Sequence, residues 1–157
     1  MTVTTFSELE LDESLLEALQ DKGLTRPTAI QAAAIPPALD GRDVLGSAPT
    51  GTGKTAAYLL PALQHLLDFP RKKSGPPRIL ILTPTRELAM QVSAALQGMA
   101  EVLGLRILTL CGGVAQERQQ AELALGPQLL VATPGRLRDL LTQQVLGLDG
   151  LQQLVLD

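Results

Sequence analysis

Ala48-Pro49-Thr50-Gly51-Thr52-Gly53-Lys54-Thr55 lies between Asp43-Val44-Leu45-Gly46-Ser47 and a helix-forming run, Ala56-Ala57-Tyr58-Leu59-Leu60. The flanks predict a short buried strand before the turn and a helix after it. With glycines at 51 and 53 the backbone can curl so that successive N–H groups point inward, a nest at the positive end of the following helix. Phosphate oxygens suit such a nest. Lys54 would bridge the outer phosphates, and the Thr55 hydroxyl would hold Mg²⁺. The motif usually opens with glycine, and Ala48 stands there instead.

The 157 residues, 45% of them hydrophobic, suffice for one core, so a single domain or a piece of one is expected. No apolar run is long enough to span a membrane, and Met1-Thr2-Val3-Thr4-Thr5 lacks the layout of a secretory signal, so a cytoplasmic location is expected. Cys111 stands alone and is read as a core residue, as is His65, the single histidine. The net charge of −3 argues against a protein that coats polyanions, so any nucleic-acid contact must come from local arginines. Arg71-Lys72-Lys73, the one basic run, sits in a Pro/Gly-containing stretch and is read as a solvated loop.

Asp12, the leucines at 15, 16 and 19, and Gly23 describe an N-capped amphipathic helix with a glycine stop. A second helix is predicted from Thr28, with Ile30, Ala33 and Ala34 inward, broken at Pro36-Pro37 before the Asp40-Gly41 turn. Apolar runs and helical stretches then alternate. Ile79-Leu80-Ile81-Leu82 precedes Glu87 to Leu103, Ile107-Leu108-Thr109-Leu110 precedes Gln116 to Leu125, and Leu129-Leu130-Val131 precedes Gly135 to Leu141, with Leu154-Val155-Leu156 last. Continuous apolar strands separated by helices predict an α/β fold, a parallel sheet with helices on both faces. Ligands gather at the carboxyl ends of such strands, where each candidate motif falls.

Gly23-Leu24-Thr25-Arg26-Pro27-Thr28-Ala29-Ile30-Gln31 closely resembles the Q motif of the DEAD-box ATP-dependent RNA helicases, with Phe6 as the isolated upstream aromatic. Ala48 to Thr55 resembles motif I, Pro84-Thr85-Arg86-Glu87-Leu88-Ala89 motif Ia, Gly112-Gly113 the glycine pair, and Thr133-Pro134-Gly135-Arg136 motif Ib. Val155-Leu156-Asp157 matches the strand entering the D-E-A-D motif, with Asp157 as its first letter. The motifs keep the family's order over nearly the entire chain. The resemblance implies the ATP-binding, N-terminal RecA-like P-loop lobe of an RNA helicase, incomplete at its C-terminal end and without its second RecA-like lobe. It places ATP against Phe6, Leu24, Arg26, Gln31 and the loop Thr50, Gly51, Thr52, Gly53, Lys54 and Thr55. It gives Lys54, Thr55 and Asp157 catalytic roles, Mg²⁺ going to Thr55 and Asp157, and RNA to Pro84, Thr85, Arg86, Gly112, Gly113, Thr133, Pro134, Gly135 and Arg136. In the family an aromatic usually follows the first glycine of the Q motif; here Leu24 takes that position.

The chemistry of these residue types agrees. A glutamine amide offers a donor and an acceptor together, matching the N6 and N7 edge of adenine and mismatching guanine, so Gln31 is expected to select ATP over GTP. Arg86 and Arg136 follow strand ends beside small or kinked residues, where a sugar-phosphate backbone can approach, and Thr85 and Thr133 add hydroxyls. Phe6, Phe69 and Tyr58 are too few and too scattered for a base-stacking platform, so recognition independent of sequence is expected. A related DNA helicase lobe and a non-catalytic adenine-nucleotide module are the alternatives. The chain alone is expected neither to hydrolyse ATP nor to unwind RNA, because the resemblance puts the catalytic glutamate after Asp157 and the arginine fingers in the second lobe. The family's S-A-T strand is also absent, so a gap or a direct pairing is expected between the Val44 and Val155 strands, with self-association as one outcome.

Overall fold

The computed structural model describes residues 3–157, which group into two units divided between Pro70 and Arg71. In the first, a single 3₁₀ turn, Phe6–Glu8, leads into α1 (Glu13–Asp21), α2 (Ala29–Leu39) and α3 (Lys54–Asp68). Asp12 caps α1 by accepting from the Ser14 N–H at 2.9 Å, and Leu15, Ala18 and Leu19 form its buried stripe. The Gln64 side chain of α3 accepts from the Asp12 N–H at 2.6 Å, and α2 packs on α3.

Two expectations change in this unit. Pro36 and Pro37 lie inside α2 rather than ending it. Each removes one N–H from the ladder, yet their carbonyls accept from the Asp40 and Arg42 N–H groups at 3.1 Å, which carries the last turn through. The buried positions of α2 are Gln31 and Ile35, four apart, whereas Ala33 is exposed. The second correction is larger: residues 42–49 form no strand, and Val44 and Leu45 are exposed. An extended segment is held only by a neighbour's N–H and C=O groups, and among the described residues none offers these. The helix after the loop also starts earlier than predicted, at Lys54.

The second unit comprises β1 (Ile79–Leu82), α4 (Arg86–Leu103), β2 (Ile107–Leu110), α5 (Gln116–Leu123), β3 (Leu129–Ala132), α6 (Pro134–Thr142) and β4 (Gln153–Leu156). The strands form a wholly parallel sheet in the order β2-β3-β1-β4. Strand side chains alternate between faces. Leu80, Leu108, Leu110, Leu130 and Ala132 point to one face and cluster with Leu137 and Leu140 of α6. Thr109 points to the other, where its hydroxyl meets that of Ser93 on α4. Ile79, Ile81, Leu129 and Val131 are fully buried, as strands covered on both faces require. At the sheet edge β4 is less protected, with Leu154 54% and Leu156 74% exposed.

Arg78, just before β1, is buried. Its guanidinium donates to the side-chain oxygens of Gln128 and Gln152, both at 3.0 Å, and so ties the starts of β1, β3 and β4. Arg71 donates to the carbonyls of Gly75 and Gly126 at 3.1 and 2.8 Å, which makes it a brace of its loop, in line with the reading of the basic run as loop. Burial lowers the Arg71 pKa from its ordinary value, and the nearby Arg78 charge adds to the shift. Cys111 is buried, as expected, and His65 lies with its ring 5.1 Å from that of Phe69. Among the described residues no helix is long and apolar enough to cross a membrane.

Candidate nucleotide and nucleic-acid sites

Gly51 and Gly53 both adopt left-handed backbone, φ 84° and 87°, and Gly53 is the N-cap of α3 with no side chain to cap it. Two left-handed residues so close together turn the loop back on itself, as a phosphate nest requires. The Thr52 hydroxyl donates to the Pro49 carbonyl and closes the turn. Lys54 and Thr55, the first residues of α3, are partly exposed, which leaves their side chains within reach of a ligand.

Gln31 sits beside this loop. Its Nε2 donates to the Gly53 carbonyl at 3.0 Å, while its Oε1 accepts from the Thr28 N–H at 2.9 Å in a capping box that starts α2. A primary amide has two N–H donors and two oxygen lone pairs. One of each is therefore engaged, and one of each remains for an adenine edge. A hollow of about 500 Å³ lies between the start of α2 and the loop, lined by Thr28, Ile30, Ala33, Ser47, Pro49 and Thr52. The cradle at Gly51 and Gly53 and this hollow fit a nucleotide's phosphates and a flat base. Leu24 and Arg26 are exposed, and Phe6 is buried with its N–H donating to the Thr25 carbonyl at 3.3 Å. Phe6 therefore keeps little ring surface for a base.

In the second unit the strand ends bring three motifs together. Thr83 N–H donates to Ala132 at 2.9 Å and Thr133 N–H to Leu110 at 3.0 Å, so the turns after β1, β3 and β2 lie side by side. Thr85 caps α4 through its hydroxyl, which accepts from the Leu88 N–H at 3.2 Å, and Pro134 opens α6. Gly113 has φ 85°, and a Cβ there would overlap the Arg86 guanidinium. Arg136 donates through Nη1 to the Val114 carbonyl at 2.9 Å and to Gln119 Oε1 at 2.6 Å. Pro84, Thr85, Arg86, Gly112, Gly113, Pro134 and Gly135 are exposed, and Thr133 and Arg136 partly so. Asp157 closes β4, its N–H donating to the Leu82 carbonyl at 2.9 Å.

Residues 28–157 match the DEAD/DEAH box helicase family model. The chain belongs to this family. It is 69% identical over its full length to the ATP-dependent RNA helicase SrmB of Escherichia coli, of which it covers 35%, and 52% identical to the Haemophilus influenzae SrmB, of which it covers 36%. Over 98% of its residues it is 49% identical to the ATP-dependent RNA helicase DeaD of Escherichia coli, of which it covers 24%. The chain thus spans about a third or less of the length of these relatives. The α/β fold with its parallel sheet is that of a RecA-like DEAD domain.

One buried polar residue at these strand ends has no mark in the sequence. Gln119 is buried between Arg136 and the Cys111 carbonyl, which precedes the glycine pair. It stands in the run Gln116-Glu117-Arg118-Gln119-Gln120, where nothing separates it from its solvated neighbours.

Proposed function

We propose that this chain is the ATP-binding lobe of an ATP-dependent RNA helicase, coupling ATP binding and hydrolysis to sequence-independent remodelling of RNA in the cytoplasm. The observation that carries the reading is the bond from Gln31 Nε2 to the Gly53 carbonyl, which joins the residue suited to adenine to the left-handed loop suited to phosphate. Within the lobe, Gly51, Thr52 and Gly53 present backbone N–H groups to the phosphates, together with Thr50 at the start of the turn. Lys54 supplies a cation to the outer phosphates, and the Thr55 hydroxyl is suited to Mg²⁺. Mg²⁺, when bound, neutralises charge that develops on the transferred phosphoryl group. Arg86, Arg136 and the glycine pair offer cations and open backbone to a sugar-phosphate chain.

Nucleotide titrations of this chain and its Lys54→Ala variant test the reading. ADP should raise the melting temperature, GDP should not, and Lys54→Ala should abolish the ADP response. Equal responses to ADP and GDP would remove adenine selection. In the full-length protein, single-stranded RNA should stimulate phosphate release more than DNA of the same sequence does, which separates the RNA from the DNA reading.

A further inference from the structure

Gln119 is 2% exposed and is the one buried residue of α5. Its Nε2 donates to the Cys111 carbonyl at 3.2 Å and, more weakly, to the Thr109 carbonyl at 3.4 Å, while its Oε1 accepts from Arg136 Nη1 at 2.6 Å. A carbonyl cannot donate and a guanidinium cannot accept, so only one orientation of the amide satisfies all three partners. Arg136 Nη1 also reaches the Val114 carbonyl. Both N–H groups of that nitrogen are thereby engaged, and the remaining donors, on Nε and Nη2, form the other edge of the fork.

The two carbonyls at Cys111 and Val114 bracket Gly112-Gly113, and Arg86 lies against Gly113. One buried amide therefore fixes the end of β2 and the start of α6 together. We infer that Gln119 is a positioning residue of the nucleic-acid surface: it locks the Arg136 guanidinium to the Cys111–Val114 turn, so that its free edge meets a sugar-phosphate backbone already oriented. The inference rests on the RNA reading of this surface proposed above. Gln119 itself, being buried, touches no RNA. Its effect is to spare Arg136 the rotamer ordering that a long charged side chain otherwise undergoes on binding.

The test measures binding of single-stranded polyuridylate to the full-length protein with a non-hydrolysable ATP analogue, alongside ADP affinity. Arg136→Ala and Gln119→Met should each weaken RNA binding by about tenfold, the scale of one lost charge-assisted contact, with ADP affinity unchanged within about twofold. The double variant should be no more than about twofold weaker than Arg136→Ala alone, because the two residues act as a unit. Arg136→Lys should lose nearly as much as Arg136→Ala, since an ammonium lacks the planar fork that holds two oxygens and still offers a second edge. Should Gln119→Met fail to fold, that lysine variant still decides. Wild-type affinity in Arg136→Lys would show that charge alone matters and would overturn the inference. So would a fully additive double variant, or an unchanged Gln119→Met where Arg136→Ala is weak. If Arg86→Ala and Arg136→Ala both bind RNA normally, the RNA surface itself is wrong and Gln119 has nothing to position.

Discussion

Gln31 Nε2 and the Gly53 carbonyl are 3.0 Å apart, so the N3 residue of the α2 capping box reaches across to the N-cap of the helix that follows the phosphate loop. The contact leaves no room at Gly53, where a Cβ would overlap the Gln31 amide and lie 3.2 Å from the Thr28 hydroxyl. At Gly51 a Cβ would meet nothing within 4 Å. The two glycines share a left-handed backbone and differ in their surroundings.

That difference predicts unequal costs. Gly51→Ala should destabilise the chain by about 1–2 kcal/mol, the strain of a left-handed alanine. Gly53→Ala adds displacement of the Gln31 amide and its two hydrogen bonds, each worth about 1 kcal/mol, and should cost roughly twice as much. It should also weaken ADP binding more. Urea denaturation of both variants checks this, and equal midpoints would mean that the Gln31 contact contributes nothing.

Arg78 has two neutral glutamine oxygens as its side-chain partners within the sheet base. Arg78→Met keeps the apolar stem but removes two hydrogen bonds from a charged donor, so it should cost about 1–3 kcal/mol. Arg138→Met, on an exposed face of α6, is the control and should stay within about 0.5 kcal/mol. Similar losses from the two would assign Arg78 no structural role.

The sheet was readable because its strands are continuous apolar runs: Ile79 to Leu82 and Leu129 to Ala132, short and set between helical stretches, read as strands covered on both faces. The phosphate loop was readable because glycine is the residue that takes positive φ without strain, and the loop needs it twice. Residues 43–47, with only Val44 and Leu45 apolar between polar and glycine residues, also read as a short strand, yet they form none, because a strand is a relation to a neighbour and periodicity reports only the segment. Pro36 and Pro37 mark a local weakness in α2 that the carbonyl bonds of its last turn override. Gln119 and Arg78 were hidden for a different reason. Burial of a polar side chain depends on partners distant in sequence, and for Arg78 these are Gln128 and Gln152.

Asp12 makes α1 sensitive to acid. Its carboxylate accepts from both the hydroxyl and the N–H of Ser14, and these bonds hold its pKa below the ordinary 3.8, the hydroxyl contributing most. A lowered folded pKa means that the unfolded chain binds the proton first, so the stabilisation is complete above pH 3.8 and fades as pH falls through the folded value. Asp12→Ala should therefore lower the urea midpoint at neutral pH and converge on wild type in strong acid. A gap that persists undiminished below pH 3 would locate the effect in something other than the ionised cap.

The β4 edge of the sheet carries exposed apolar side chains. Leu154 and Leu156 are alternate residues on one face, 54% and 74% exposed, and among the described residues β4 pairs with β1 alone. A parallel edge strand with apolar side chains and a free ladder side is a template for another chain. The 157-residue chain should therefore self-associate in sedimentation as its concentration rises, and Leu156→Lys should suppress this, because a charge cannot be carried into the pairing of two edges without loss of its hydration. Leu146→Lys is no substitute, since Leu146 is buried in the core and its replacement would unfold the unit. A chain that remains monomeric across the concentration range, or a Leu156→Lys variant that associates as wild type does, would show that the β4 edge is not the sticky surface.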